Sequence, residues 1–159
     1  MAQQLWFLRH GEAEPHGDRP DEERALTERG LGQSDSAGRA LARLGVTFQH
    51  AFTSPKVRAA QTAELACAHL DVEPHTHEPL RDGFDRDEAV ALLRAAGEDQ
   101  RILLVGHDPD FTQTVHDLTG ARVDLKKGGL AAVRVEGATA ELIALLRPRE
   151  LDRICGGGD

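Results

Sequence analysis

The stretch Gln4-Leu5-Trp6-Phe7-Leu8-Arg9-His10-Gly11-Glu12 changes abruptly from apolar to charged residues. Its apolar part, residues 5–8, is a short run of the kind found in buried strands, although the pattern alone also allows a buried helix segment. Polar residues at the carboxyl end of such a strand lie where open α/β sheets bind ligands. The stretch therefore predicts a strand whose carboxyl end carries the guanidinium of Arg9, the imidazole of His10 and the flexible backbone of Gly11. An isolated Arg-His pair more often faces solvent, so the other strand ends decide whether this one is functional.

Outward from this strand, hydrophobic spacing and turn residues predict strands that alternate with helices. The predicted strands cover 5–8, 46–53, 72–76, 101–106, 130–135 and 139–146, and the predicted helices cover 28–44, 56–70, 85–96 and 110–118. Residues 102–105 are all aliphatic, as in a central parallel strand, and Gly137 between the last two strands indicates an antiparallel hairpin. This order predicts an α/β protein, a three-layer α/β/α sandwich whose mostly parallel sheet has an antiparallel edge.

The chain length of 159 residues suits one domain. We expect this domain to cover 1–150, with ordered structure ending near Pro148 and a flexible glycine-rich tail over 151–159. Two cysteines do not make a disulfide framework. Cys67 falls in a helical pattern and is expected to be buried, whereas Cys155 is expected to be exposed in the tail.

The composition argues against two kinds of binding partner, nucleic acids and membranes. The net charge of −8 argues against nonspecific nucleic-acid binding, and the absence of Tyr makes base-stacking platforms improbable. No apolar run approaches the roughly 20 residues that span a bilayer, so we expect no membrane partner. The first residues lack a basic segment followed by a long apolar one, which predicts a cytoplasmic location.

Four predicted strands are followed by charged or donor groups. These groups are Arg9-His10, Ser54 with Arg58, Arg81-Asp82, and His107. In a parallel sheet such ends converge on one edge, and two arginines beside two histidines would be costly there without an anion. A phosphate carries about −2 charge and three acceptor oxygens, and guanidinium groups bind phosphate oxygens in pairs. The sequence therefore predicts a phosphate site.

In such a site His10 would be the nucleophile. A neutral imidazole can attack phosphorus and form a covalent phosphoenzyme. Nearby cations would favour the neutral ring and stabilise the transferring phosphoryl group, while His107 would donate hydrogen bonds to it. With Arg9, Arg58 and His107 supplying the positive field, we expect no metal ion and no organic cofactor.

Three motifs resemble those of the histidine phosphatase superfamily. They are Leu8-Arg9-His10-Gly11-Glu12 for the R-H-G motif, Ser54 to Ala63 for S-P-x-x-R-A-x-Q-T-A, and Val105-Gly106-His107 for the second-histidine motif. They occur in order and in matching structural contexts, and the resemblance covers nearly the whole chain. It implies a phosphoglycerate mutase-like fold, with His10 phosphorylated and Arg9, Arg58 and His107 binding the phosphoryl group.

Within the superfamily, the chain is most similar to the small SixA-type phosphohistidine phosphatases. The similarity rests on the short chain, on Arg24-Ala25-Leu26-Thr27-Glu28-Arg29-Gly30, on Gly106-His107-Asp108-Pro109 and on Lys126-Lys127-Gly128-Gly129. It implies a phosphohistidine in a protein as substrate. Arg24 and Ser54 are further candidate substrate contacts, although a surface arginine in a charged loop is an equally plausible interpretation of Arg24.

The chain also departs from larger relatives, which carry an acidic proton donor after the third strand. Asp82 is the nearest positional match and a candidate catalytic acid, although an ordinary turn aspartate is about equally probable. A phosphorylated imidazole leaves more easily than an alkoxide, so a weak or absent acid fits a phosphohistidine substrate. The alternatives are a phosphomonoesterase for a small phosphate ester and a phospho-ligand binding module without turnover.

Overall fold

The computed structural model describes residues 2–17 and 19–156. The strands are β1 (Ala2–Arg9), β2 (His50–Thr53), β3 (Pro74–Thr76), β4 (Arg101–Gly106), β5 (Leu130–Glu136) and β6 (Thr139–Leu146). The helices are α1 (Glu28–Arg43), α2 (Val57–Cys67), α3 (Arg86–Ala96), α4 (Asp110–Thr119) and α5 (Pro148–Ile154), with 3-10 turns at Asp21–Glu23 and Glu78–Leu80. Within these residues no helix combines the length and the apolar character that crossing a bilayer requires.

The six strands form one sheet in the order β3-β2-β4-β1-β5-β6. The strands from β3 to β1 run parallel, and β5 and β6 run antiparallel to their neighbours. This arrangement confirms the predicted mostly parallel sheet with an antiparallel edge. Strands β2 and β3 are shorter than predicted, because residues 46–49 and 72–73 precede them without being part of the sheet.

Alternate side chains of the central strands enter two separate cores, one on each face of the sheet. Trp6 and Leu8 of β1 pack in the core beneath α1, α2 and α5. Leu5 and Phe7 pack in the core beneath α3 and α4. Since both faces of β1 are covered, the apolar run of residues 5–8 is buried on both sides, as in a parallel α/β sheet.

The strand ends are aligned by the register of the central strands. Arg9 pairs with Gly106, and Thr53 pairs with Val105, so β1, β2 and β4 end side by side. The backbone of Gly128 then donates to the carbonyls of both Arg9 and His10, at 3.1 and 2.9 Å. This bond fixes the chain at the point where β1 leaves the sheet.

The carboxyl-terminal region differs from the sequence prediction, which ended ordered structure near Pro148. The structure has helix α5 there, and Leu151 is fully buried against the core that α1 covers. Cys155, expected to be exposed, is also buried. Proline at the first helical position is favourable because its missing N–H has no intrahelical partner there. Residues 157–159 of the predicted tail lie outside the described residues.

Candidate active site

A cavity of about 870 Å³ opens at the carboxyl ends of β1, β2 and β4. Six of the seven predicted site residues line it, namely Arg9, His10, Arg24, Arg58, Asp82 and His107. The structure therefore brings together side chains that lie almost 100 residues apart in the sequence. The seventh, Ser54, is fully buried and does not line the cavity.

The ring of His10 is oriented by the residue that follows it. Its Nδ1 lies 2.7 Å from the carbonyl oxygen of Gly11. A carbonyl can only accept a hydrogen bond, so Nδ1 carries the proton and Nε2 keeps its lone pair. Burial, together with the charges of Arg58, Arg9 and Lys127, lowers the pKa of His10 to about 4, although the hydrogen bond to Gly11 opposes this shift. The ring is therefore a neutral imidazole with a free nucleophilic nitrogen at neutral pH.

The loop that carries His10 is held by side chains of two helices. The amide of Gly11 donates to the hydroxyl of Thr62 on α2 at 3.2 Å. The amide of Glu12 donates to the side-chain oxygen of Gln33 on α1 at 2.8 Å. Thr62 belongs to the predicted signature, and its role in this structure is to support the loop.

The ring of His107 lies beside that of His10, with 5.2 Å between ring centroids. Burial, then the neighbouring His10 ring and the charges of Arg58 and Lys56, lower the pKa of His107 to about 3. Its Nε2 lies 2.8 Å from the hydroxyl oxygen of Ser54, and its Nδ1 is buried without a partner among the described residues.

The position of Ser54 differs from the expected substrate contact. The hydroxyl oxygen of Ser54 accepts a hydrogen bond from the amide of Lys56 at 3.2 Å and lies 2.8 Å from Nε2 of His107. A phosphoryl oxygen can only accept, so a His107 that binds one through Nδ1 carries the ring proton there, and the Ser54 hydroxyl then donates to Nε2. Ser54 thus acts on the site through His107, because its side chain lies beneath that ring.

The two arginines are anchored by their terminal nitrogens. Arg9 donates from Nη1 to the carbonyl of Leu125 at 2.8 Å, and the same atom lies 3.7 Å from the carboxylate of Asp108. Arg58 donates to the carbonyl of Asp21 at 2.8 Å and lies 3.2 Å from its carboxylate. These bonds leave the Nε groups of both arginines buried and unpartnered within the described residues.

Three of the four buried polar side-chain atoms that lack a partner in the described part of the chain belong to predicted site residues. They are Nε of Arg9, Nε of Arg58 and Nδ1 of His107; the fourth, Nε2 of His77, lies after β3. A buried donor without an acceptor costs about 1–3 kcal/mol. Arg9, Arg58 and His107 line the same cavity as His10, so the arrangement fits a tetrahedral phosphoryl group whose oxygens these residues would bind.

Lys56 is a cavity residue that the sequence analysis missed. Its side chain is 9% exposed, and its Nζ lies 2.8 Å from a carboxylate oxygen of Asp82 and 3.4 Å from one of Asp21. It occupies a variable position of the S-P-x-x-R motif, which gave no signal in the sequence beyond its charge. The structure adds this lysine to the three predicted arginines that line the cavity.

Asp82, the candidate catalytic acid, lines the cavity and pairs with Lys56. The hydrogen bond from Lys56 is the largest cause that lowers the pKa of Asp82, and its side chain is 73% exposed. A general acid needs a raised pKa so that it holds a proton at neutral pH. The geometry therefore places an ionised Asp82 at the rim, where it orients Lys56.

Arg24 lines the cavity but is bound to neighbouring protein groups. It donates to the carboxylate of Asp21 at 3.0 Å and to the carbonyl of Glu14 at 2.6 Å. Burial opposes ionisation of Asp21, but hydrogen bonds and charges from Arg24 and Arg58 outweigh it and lower the pKa of Asp21. Asp21, which the sequence analysis did not single out, thus links Arg24, Lys56 and Arg58 at the mouth of the cavity.

Among the described residues, no group of three or more His, Cys, Asp or Glu side chains is arranged to hold a metal ion. The cations that face the cavity are those of the protein itself.

Comparison with known families places these residues in context. A model of the histidine phosphatase superfamily (branch 1) matches residues 5–90, a span that includes His10 and Arg58 and ends before His107. An uncharacterized protein of Picosynechococcus sp. is 34% identical over 93% of this chain and 98% of its own length. The serine/threonine-protein phosphatase Pgam5, mitochondrial, of Drosophila persimilis is 38% identical over 77% of this chain, which spans only 38% of that relative.

Two solved structures share the fold. The protein histidine phosphatase SixA complexed with tungstate superposes with a TM-score of 0.84 at 22% identity, covering 93% of this chain and 99% of its own. A putative alpha-ribazole-5'-P phosphatase from Escherichia coli superposes with a TM-score of 0.77 at 19% identity, covering 92% and 98%. These likenesses confirm the predicted phosphoglycerate mutase-like sandwich.

Proposed function

The chain belongs to the histidine phosphatase superfamily, and we propose that it is a phosphatase that removes the phosphoryl group from phosphohistidine in proteins. The observation that carries the proposal is a neutral His10 that lines one cavity with Arg9, Arg58 and His107, each of which has a buried polar atom without a partner among the described residues. Donors fixed in this way bind an oxyanion without reorganising, which is the usual source of transition-state stabilisation in phosphoryl transfer.

The first step transfers the phosphoryl group to His10. The substrate ring is first protonated by water on its other nitrogen. The lone pair of Nε2 then forms a bond to phosphorus as the bond between phosphorus and the substrate nitrogen breaks, and the substrate leaves as a neutral imidazole that keeps this proton. Arg9, Arg58 and His107 donate to the phosphoryl oxygens, and Lys56 adds positive charge at the open side. The bond from Nδ1 of His10 to the Gly11 carbonyl stabilises the charge that develops on the ring.

The second step returns the enzyme to its starting state. A water oxygen attacks phosphorus opposite Nε2, the bond between phosphorus and Nε2 breaks, and inorganic phosphate leaves with the water's oxygen. The imidazole of His10 recovers its lone pair. In this proposal the protein's own cations offset the phosphoryl charge in both steps, and neither step uses a metal ion or an organic cofactor.

Two features favour phosphohistidine over a phosphate ester. Without substrate Asp82 is ionised and has no proton ready for a leaving alkoxide, whereas an imidazole leaves more easily. The phosphoryl site also lies in a cavity that is open to solvent, so a protein side chain can enter it. The same chemistry is named in the SixA structures that share the fold.

A second candidate keeps the chemistry and changes the substrate to phosphoserine or phosphothreonine in proteins. The similarity to Pgam5, named as a serine/threonine-protein phosphatase, favours it. The two candidates differ in their need for a proton donor to the leaving group. A comparison of substrates therefore separates them.

The test compares a histidine-phosphorylated peptide, a serine-phosphorylated peptide and a small ester, p-nitrophenyl phosphate, with chelator present. We expect preferential turnover of the first peptide and a phosphoryl group on His10 that is trapped at alkaline pH and detected by mass spectrometry. His10→Ala should reduce turnover by more than about a thousandfold. His69→Ala, which removes a half-exposed imidazole bound to Asp35, is the matched control and should keep full activity.

Each other outcome rejects part of the proposal. Preference for the serine-phosphorylated peptide supports the second candidate, and preference for the ester indicates a small-molecule phosphomonoesterase. Binding of all three substrates without turnover indicates a phospho-ligand binding module. Undiminished turnover by His10→Ala requires another nucleophile.

A further inference from the structure

A second cavity of about 530 Å³ lies next to the catalytic cavity and takes no part in the chemistry proposed above. We call it the basic groove. Its lining residues are Arg9, Glu12, Arg29, Gln33, Lys126, Lys127, Arg147, Pro148 and Arg149. Arg9, Glu12 and Lys127 also line the catalytic cavity, so the two spaces are continuous.

The basic groove concentrates positive charge in an acidic protein. Six of its nine lining residues are Lys or Arg and one is acidic, whereas the whole chain has 19 Lys and Arg against 27 Asp and Glu. Segments far apart in the sequence supply these cations: the start of α1, the residues before β5, and the junction of β6 with α5. Such a concentration creates a local field that attracts anions despite the net charge of −8.

Several of these cations are available to a ligand. The side chains of Arg29 and Arg149 are 75% and 76% exposed, and their nearest carboxylates, on Glu12 and Glu150, lie 3.9 and 3.7 Å away. Exposed ion pairs at such distances contribute little to stability, so a carboxylate of a ligand can replace Glu12 or Glu150 as the partner of these arginines. Lys127 makes no ion pair within 4.0 Å among residues 2–17 and 19–156. Arg147 and Lys126, by contrast, are held by Glu150 and Asp124 at 2.9 and 2.8 Å.

The space extends beyond the basic groove along α1 and α5. A third cavity of about 340 Å³ shares Arg29, Gln33, Pro148 and Arg149 with it and continues to Asp152. The catalytic cavity, the basic groove and this third cavity therefore form one track. The volume of the basic groove alone is that of a site for a drug-sized ligand. The whole track is therefore much larger than the space that one phosphoryl group occupies.

We propose that the basic groove binds an acidic polypeptide segment adjacent to the phosphorylated residue of the substrate, an inference that rests on the proposed function. An extended chain whose phosphorylated side chain occupies the catalytic cavity would lie along the track, with carboxylates facing Arg29, Arg149 and Lys127. Nucleic acid fits less well, because none of the described lining residues is an aromatic side chain on which bases stack.

The experiment uses two synthetic peptides that carry one phosphohistidine flanked either by Glu or by Gln residues, and phosphoramidate as a small substrate. The wild-type protein should have a kcat/KM for the Glu peptide roughly three- to tenfold above that for the Gln peptide, falling as salt is added. The double variant Arg29→Gln/Arg149→Gln should remove this preference and leave phosphoramidate turnover unchanged. Arg43→Gln/Arg94→Gln removes two exposed arginines elsewhere and should keep the preference.

The inference is overturned by equal turnover of the two peptides by the wild-type protein, or by a preference that survives in Arg29→Gln/Arg149→Gln. A binding measurement separates this outcome from failure of the proposed function. If none of the three substrates is hydrolysed, the proposed function fails, and binding of the unphosphorylated Glu peptide against the Gln peptide still tests the basic groove. Tighter binding of a single-stranded oligonucleotide than of the Glu peptide would also overturn the inference.

Discussion

The hydroxyl of Ser54 lies 2.8 Å from Nε2 of His107. This hydroxyl also accepts from the amide of Lys56 and still has its own hydrogen, so it can donate to Nε2 when the ring proton is on Nδ1. Nδ1 is the buried, unpartnered nitrogen of His107. Ser54 is therefore a positioning residue, and the donor that His107 offers to a phosphoryl oxygen depends on it.

Replacement of Ser54 by Ala should lower kcat/KM by roughly 10- to 100-fold, as is common when a group that orients a functional side chain is removed. The physical reason is that His107 loses the partner that selects its tautomer. Nitrogen-15 NMR of the imidazole in the wild-type protein should show the proton on Nδ1 of His107, and in Ser54→Ala this preference should weaken.

Thr114→Val is a suitable control, because it removes a buried hydroxyl that bonds only to the carbonyls of Phe84 and Asp110. It should keep the tautomer of His107 and most of the activity. A Ser54→Ala variant with wild-type turnover and an unchanged tautomer would contradict the role assigned to Ser54.

Lys56 and Asp82 should respond very differently to substitution. Lys56→Met removes a buried cation from the cavity and should lower kcat/KM at least about tenfold, because it supplies part of the charge that stabilises the transferring group. Asp82→Asn keeps a hydrogen-bond acceptor for Lys56 and should change the turnover of a phosphohistidine peptide by less than about threefold. A general acid would instead contribute roughly 10²- to 10⁴-fold. Steady-state kinetics of both variants measure these changes in kcat/KM. A large loss of turnover in Asp82→Asn alone would show that Asp82 is the proton donor.

The sequence predicted the parts of the site that depend on strand ends. Arg9 is the last residue of β1, His10 follows it, and His107 directly follows β4; each of these strands has an apolar run that is buried on both faces of the sheet. Thr27 caps α1, and its hydroxyl accepts from the amide of Gly30 at 3.1 Å. Local sequence carries these features because the same residues form the strand or the cap.

The parts that the sequence did not reveal depend on contacts between distant segments. Asp21 reaches Arg58 from a loop that has no periodic pattern, and its partners are defined only once that loop is packed. Helix α5 has seven residues, too few to show an amphipathic period, and it begins at Pro148, a residue that suggested an end of ordered structure. Its stability comes from burial of Leu151 against the rest of the chain.

Stability should fall more steeply on acidification because of His10. Its pKa is near 6.5 in an unfolded chain and about 4 in the folded protein, so between these values the unfolded state binds more protons. His10 therefore contributes nothing above about pH 7 and costs progressively more as pH falls to 4. We expect the unfolding free energy of the wild-type protein to drop roughly 3 kcal/mol more between pH 7 and pH 4 than that of His10→Asn. Urea unfolding at both pH values measures the difference, and equal losses in the two proteins would show that His10 titrates normally.

The contact between Gly30 and the loop after His10 leaves no room for a side chain. A Cβ at Gly30 would lie 2.0 Å from the carbonyl oxygen of Glu12, which is backbone and can yield only if the loop moves. Gly30→Ala should therefore displace the segment that orients His10, lowering kcat/KM at least about tenfold and stability by roughly 1–3 kcal/mol.

Gly32→Ala is the matched control in the same helix. Its Cβ would meet nothing within 4 Å, so it should keep full activity and gain roughly 0.5–1 kcal/mol from helix propensity. Thermal unfolding and kinetics of the two variants make the comparison. Equal behaviour of the two would mean that the close approach of α1 does not position the nucleophile.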